Sequence, residues 1–166
     1  MDSPIYQTAL ITDLVAHALN RDLQRVVVVL SDGSTQTAEE LRNLISRYSQ
    51  AFAALSPKPL RAAVIAKNRV EVPAVMNGLS FAGIVSTSLH PMGAIEDYLY
   101  VIEDAEIDLL VYDADYFESI AAELKARAPR VKHLVAIGSD GVGQSLDRLS
   151  AGLTAQPLVA PVGDPN

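Results

Sequence analysis

The sequence has no cysteine. That excludes disulfide staples and thiolate metal sites, and it fits a cytoplasmic protein. There is no basic surplus either: 13 lysines and arginines stand against 20 aspartates and glutamates, a formal net charge of −7 and a pI near 4.8. No cationic stripe exists to neutralise a phosphate backbone, which excludes nucleic-acid binding. Long apolar runs are missing as well. The unbroken stretch Val26–Leu30 is far short of the ~20 residues that span a bilayer. The opening Met1-Asp2-Ser3-Pro4 lacks the basic start and apolar core of a secretory signal. The expectation is a cytoplasmic protein with no transmembrane segment.

What is present is the composition of a packed domain, 49% apolar and 20% charged in 166 residues. Apolar periodicity switches repeatedly between helical and extended. Leu10, Ile11, Leu14, Val15 and Ala18 share one helical face near Thr8 to Leu19. Val26–Leu30 is β-branched and strand-like, and Ser31-Asp32-Gly33-Ser34 supplies turn chemistry. Thr37-Ala38-Glu39-Glu40 has the form of a capping box. Behind it, Leu41, Leu44, Ile45, Tyr48, Phe52 and Leu55 keep the spacing of a core-facing stripe until Pro57-Lys58-Pro59 stops it.

The order then becomes strand, helix, strand, helix. Strands are expected at Ala62–Ala66, Ile84–Leu89, Leu109–Tyr112 and Val131–Ile137. Between them lie helical faces built by Val72, Val75, Met76 and Leu79, by Ile95, Tyr98, Leu99 and Ile102, and by Phe117, Ile120, Ala121, Leu124 and Ala128. Pro73 fits the first turn of its helix, Gly83 is a left-handed C-cap, and Asp115 is placed as the cap of the last helix. Strands alternating with helices of this length imply an α/β fold: a mainly parallel sheet built from βα units with helices on both faces, plus an N-terminal helix and a strand-turn segment. Residues 1–151 read as this α/β unit. Residues 152–166, with Pro157, Pro161 and Pro165 and no periodic face, read as a linker or tail.

The stretch Ala66 to Glu106, AKNRVEVPAVMNGLSFAGIVSTSLHPMGAIEDYLYVIEDAE, carries more specific wording. Asn68 with Glu71, Gly78, Ala82-Gly83-Ile84-Val85, Leu89-His90-Pro91 and Glu96-Asp97 ahead of Val101-Ile102-Glu103-Asp104 resemble the N-terminal region of the adenylate-forming superfamily of acyl-CoA synthetases and fatty-acid ligases. The resemblance implies a piece of an ATP-dependent ligase. A full-length member would use ATP, Mg²⁺ and CoA, passing through an acyl-adenylate to the thioester. The family's Ser/Thr/Gly-rich phosphate loop ending in lysine does not occur between Met1 and Asn166. The expectation is therefore a catalytically inert scaffold that walls an acyl pocket, partnered by the remainder of its polypeptide and pairing as a homodimer through an uncovered face or edge. A stand-alone α/β binding or oligomerisation module is the alternative.

No residue is assigned as catalytic, cofactor-binding or metal-binding. His90, after a strand, is read as shaping the turn with Pro91; His17 and His133 have no partner at metal-ligand spacing. Glu96, Asp97, Glu103, Asp104, Glu106 and Asp108 imitate a Mg²⁺ site but point in several directions on a helix, as a solvated face would. Gly138-Ser139-Asp140-Gly141-Val142-Gly143 has its glycines at first, fourth and sixth positions, unlike a dinucleotide fingerprint, and reads as a flexible surface loop. Asn68 and Glu71 read as a capping box, Gly78 and Gly83 as close helix–sheet packing, and Met76, Phe81 and Leu89 as core with an acyl tunnel the lesser option.

Overall fold

The computed structural model describes residues 10–159. The first turn of the helix expected from Thr8, and Pro161 and Pro165 of the tail, lie outside them. The chain begins with α1 (Ile11–Asn20), which lies on the helices that follow through Val15, Ala16 and Leu19, while Ile11, Leu14 and Ala18 of the expected face are exposed. Next comes an antiparallel hairpin of β1 (Val26–Val29) and β2 (Thr35–Thr37). The hairpin turn closes because Gly33 adopts φ 85° and the Asp32 carboxylate accepts the Ser34 N–H at 2.9 Å. β2 has only three polar residues, too few to show a period, and sequence reading leaves it as turn.

α2 (Ala38–Ala53) starts at the expected capping box: Thr37 Oγ1 accepts the Glu40 N–H at 3.2 Å, and the Glu40 carboxylate accepts the Thr37 N–H at 2.8 Å. The remaining elements are β3 (Arg61–Ile65), α3 (Val72–Phe81), β4 (Val85–Ser88), α4 (Ile95–Asp104), β5 (Leu109–Asp113), α5 (Ala114–Arg127, kinked at Phe117), β6 (His133–Ile137), β7 (Gln144–Ser145) and α6 (Leu146–Ser150). β3 to β7 form one sheet of order β4-β3-β5-β6-β7, parallel at every pair.

Strand alternation sorts the core into two. Ala62, Val64, Leu109, Val111, Val135 and Ile137 meet α2 and α3 on the first face. Ala63, Ile65, Leu110, Tyr112, Leu134 and Ala136 meet α4 and α5 on the second. β5 and β6 are buried at every position, which is why they read as continuous apolar runs rather than alternating ones. α3 carries the chain from β3 to β4 across the first face; α4 brings it back across the second, past β3, to β5. Strand order therefore reverses between β3 and β5, and the crevice at their carboxyl ends is where open parallel sheets place function.

Three expectations need correction, and one is borne out. Gly78 serves helix–helix rather than helix–sheet packing: a Cβ there would lie 3.0 Å from the Tyr48 Cβ, so α3 presses its backbone onto α2. The cap of α5 is Asp113, whose carboxylate accepts the Asp115 N–H at 3.2 Å, not Asp115 itself. α3 begins after Glu71 with no side-chain cap, so Asn68 and Glu71 form no capping box. Met76, Phe81 and Leu89 are core as expected: the first two join the first-face core and Leu89 the second, so the sheet separates them and they do not line one tunnel. Residues 152–159 have no regular structure but lie along α2, where the Gln156 N–H reaches Ser46 Oγ at 2.7 Å and Gln50 Nε2 reaches the Thr154 carbonyl at 3.0 Å.

Candidate functional site

The carboxyl ends of β3, β5 and β6 converge on Arg69. Its guanidinium lies 3.1 Å from Asp113 Oδ1 and 3.2 Å from Glu71 Oε1, and also contacts the Asp115 carboxylate. Asp113 is fully buried. Its carboxylate accepts from Arg69 and from the Asp115 N–H at the start of α5. Ser139, just beyond β6, donates its hydroxyl to Asp115. That bond, with the Arg69 guanidinium as the next cause, holds Asp115 below the ordinary carboxylate range. Arg69 is pushed up in turn, chiefly by its hydrogen bond to Glu71. Gly138 completes the cluster. It adopts φ 84°, and a Cβ at that position would stand 2.8 Å from Asp115 Oδ2 and 2.9 Å from Arg69 Cζ. Only glycine meets both demands.

Beside the cluster, Lys67 Nζ sits 3.5 Å from the centroid of the Tyr116 ring, within cation–π range. The Tyr112 hydroxyl donates to the Val142 carbonyl at 2.6 Å; burial pushes its phenol up, with the Glu118 charge adding to the effect. The Val142 N–H is taken by the Glu118 carboxylate at 3.1 Å. The Gly138–Gly143 segment is thus a pinned loop, not the flexible one expected, because side chains of β5 and α5 occupy its amide, carbonyl and hydroxyl groups.

Chemically this arrangement is closed. Arg69 directs its donors to three carboxylates, and Asp113 and Asp115 have further partners in the Asp115 N–H and the Ser139 hydroxyl. The residues present do not fit a polyphosphate: the loop that approaches it is ringed by Asp115, Glu118 and Asp140, and its Val142 amide is already used. They do not fit Mg²⁺ either. Arg69 stands where a cation would, and no metal-binding group of histidine and carboxylates occurs among the described residues.

The sequence candidates scatter. His90 is exposed; its Nδ1 accepts the Met92 N–H at 3.2 Å and its carbonyl accepts the Tyr98 hydroxyl, which shapes the turn into α4. His133 is buried at the opposite end of the sheet, with Nε2 2.7 Å from the Pro57 carbonyl. The acids go to separate partners: Glu96 to Arg127, Glu103 to Arg130, Glu106 to Arg61, Asp97 to the Ala94 N–H and Asp108 to the amides of Leu60 and Arg61. The Arg69 cluster itself was missed. Part of its signal was available, since Lys67-Asn68-Arg69, Asp113-Ala114-Asp115 and Gly138-Ser139 each lie at the carboxyl end of a strand of the parallel sheet or within a few residues of it.

Fold and site together define a doubly wound, three-layer α/β unit with an ion cluster at its switch point. The chain belongs to the AMP-binding enzyme family, whose pattern it matches over residues 15–162. It is 31% identical over 156 residues to the medium/long-chain fatty-acid–CoA ligase FadD8 of Mycobacterium tuberculosis, a match covering 89% of this chain and 27% of that protein. It is 30% identical over 160 residues to a medium-chain fatty-acid–CoA ligase of Ectopseudomonas oleovorans, covering 94% of this chain and 29% of that one. The chain thus spans less than a third of the length of these curated relatives. Among solved structures, apo MbtA of Mycobacterium smegmatis superposes with a TM-score of 0.77 at 24% identity, over 93% of this chain and 29% of that one. ATP-bound MatB of Rhodopseudomonas palustris superposes with a TM-score of 0.73 at 22% identity, over 92% and 30%. These last two establish the fold alone.

Proposed function

We propose that this chain is the N-terminal part of an ATP-dependent acyl-CoA ligase acting on a fatty acid or other lipid carboxylate. In the whole protein the carboxylate attacks ATP to give an acyl-adenylate and pyrophosphate, and the CoA thiol then displaces AMP to give the thioester. ATP, Mg²⁺ and CoA belong to that whole protein and are held by residues outside this chain; the present residues contribute scaffold and a wall of the acyl pocket. The observation that carries the reading is the match to two fatty-acid–CoA ligases over about nine tenths of the chain. The closed Arg69 cluster supports the inert role, because stabilising developing phosphate charge needs unspent donors. No described helix is long and apolar enough to cross a membrane, in keeping with work in the cytoplasm on a CoA substrate.

Purified chain incubated with ATP, CoA and a medium-chain fatty acid is expected to release neither pyrophosphate nor acyl-CoA. Turnover by the chain alone overturns the proposal. A second reading is a stand-alone α/β module without catalysis. It is favoured by the two apolar cores that cover both sheet faces within this chain. A reading frame continuing beyond Asn166 into a Gly/Thr-rich, lysine-ended loop decides for the ligase. In either case the chain is expected to pair with a second copy through a sheet edge left unpaired.

A further inference from the structure

The geometry points to the free edge of β4 as the surface through which two copies of this chain pair, antiparallel, about a two-fold axis at Thr87. This deepens the pairing expected above by naming its atoms. β4 ends the sheet, with β3 on one side only. The Val85 N–H bonds to the Leu60 carbonyl at 3.0 Å and the Leu89 N–H to the Val64 carbonyl at 2.8 Å, so these residues turn their backbone groups inward. Backbone direction alternates along a strand. Ser86 and Ser88 therefore turn their N–H and C=O outward, where no strand of the described residues meets them.

Those two residues stand symmetrically about Thr87. An antiparallel copy with Thr87 opposite Thr87 places Ser86 opposite Ser88 and Ser88 opposite Ser86. Both are then hydrogen-bonded pairs, and all the outward N–H and C=O groups of the two copies are satisfied. The central Thr–Thr contact is a favourable cross-strand pair. The joint makes one continuous sheet from two, with the matching faces of both copies aligned.

Charge selects a second copy as the occupant. At net −7, two chains repel over most of their surface. From Val72 through Ile95, however, no Asp, Glu, Lys or Arg occurs, and that span holds the whole of β4. The edge carries none of the usual protections against strand addition: no lysine, no proline and no bulge in its register with β3. Val85 is 70% exposed on it, and beside its start Ile11 of α1 is 68% exposed, so apolar surface accompanies the unpaired backbone.

The absence of cysteine makes a clean test. Across a non-hydrogen-bonded antiparallel pair the Cα atoms lie about 4.5 Å apart, within disulfide reach. In light scattering at high concentration the wild-type chain is expected to be a dimer, and Val85→Lys, a change at an exposed side chain, is expected to make it a monomer. Under mild oxidation Thr87→Cys is expected to form a covalent dimer at least tenfold faster than Tyr100→Cys, a control on the exposed face of α4. A monomeric wild type removes both the pairing and its surface. A dimer that survives Val85→Lys, or that cross-links no faster at 87 than at 100, removes this edge and leaves pairing itself in place.

Discussion

At the scale of single residues, the cluster at the switch point rests on Arg69. Three carboxylates surround one guanidinium, and one of them, Asp113, has no exposure to water. Arg69→Met keeps much of the side chain's volume and removes its charge, leaving the buried Asp113 carboxyl with only amide partners. Breaking a fully buried pair costs roughly 3–5 kcal/mol. Arg69 keeps 21% of its side chain in water, so screening lowers the expected loss to about 2–4 kcal/mol. Urea unfolding at neutral pH measures it; a loss below about 0.5 kcal/mol would show that the cluster holds little. A pH effect accompanies it. Asp115 has a folded pKa below its ordinary value, so its contribution is present above the unfolded pKa and lost as pH falls through the folded one. Wild-type stability should hold down to about pH 4 and then decline. Without Arg69 the decline should begin at higher pH, although Ser139, the larger cause, keeps part of the depression.

At the scale of elements, the α2–α3 contact sets two principles against each other. Gly78 lies inside α3, where alanine would gain about 1 kcal/mol of helix propensity. The added Cβ, however, would stand 3.0 Å from the Tyr48 Cβ and 3.3 Å from the Ser49 amide nitrogen. These are atoms of the neighbouring helix and its base, not a flexible side-chain end, so α3 must shift bodily. Overpacking of this kind costs about 1–3 kcal/mol. Gly78→Ala is therefore expected to be net destabilising, with a lower thermal midpoint; a raised midpoint would mean that the helices separate easily. The same contact shows what the sequence makes legible. The stripe from Leu41 to Leu55, the capping box at Thr37 and the apolar runs of β5 and β6 announce themselves, because each encodes burial or capping within a few residues. The partner of Gly78 is not encoded locally, since a glycine says only that something comes close. Arg69, Asp113 and Gly138 each lie near a strand end, but their meeting is not encoded locally: they are 44 and 25 residues apart along the chain, and only the order of the parallel sheet brings them together. β2 and β7, of three and two residues, are too short to show any period.

At the scale of the whole molecule, the chain closes both faces of its sheet, and the first face is finished by a segment that composition alone presents as linker. Residues 152–159 hold one proline, Pro157, and do not leave the surface: Leu153 and Leu158 are half-buried against the first-face core. The buried Ser46 hydroxyl anchors this strap by accepting the Gln156 N–H, and Gln50 holds the Thr154 carbonyl. Apolar contacts to the first-face core thus continue past residue 151 as far as Leu158. Ser46→Ala should release the strap near Gln156 at a cost of about 1 kcal/mol, since one net hydrogen bond is lost and the freed amide can turn to water. Removing everything after Gly152 should cost more, about 2–3 kcal/mol, because two leucine contacts go with it. Limited thermolysin digestion separates a docked strap from a free tail. Cleavage near Leu158 should be slow in the wild-type chain and markedly faster in Ser46→Ala, while the core stays intact in both. Equal, rapid cleavage in the two would show that residues 153–159 are held by nothing at Ser46, and that the α/β unit ends at α6.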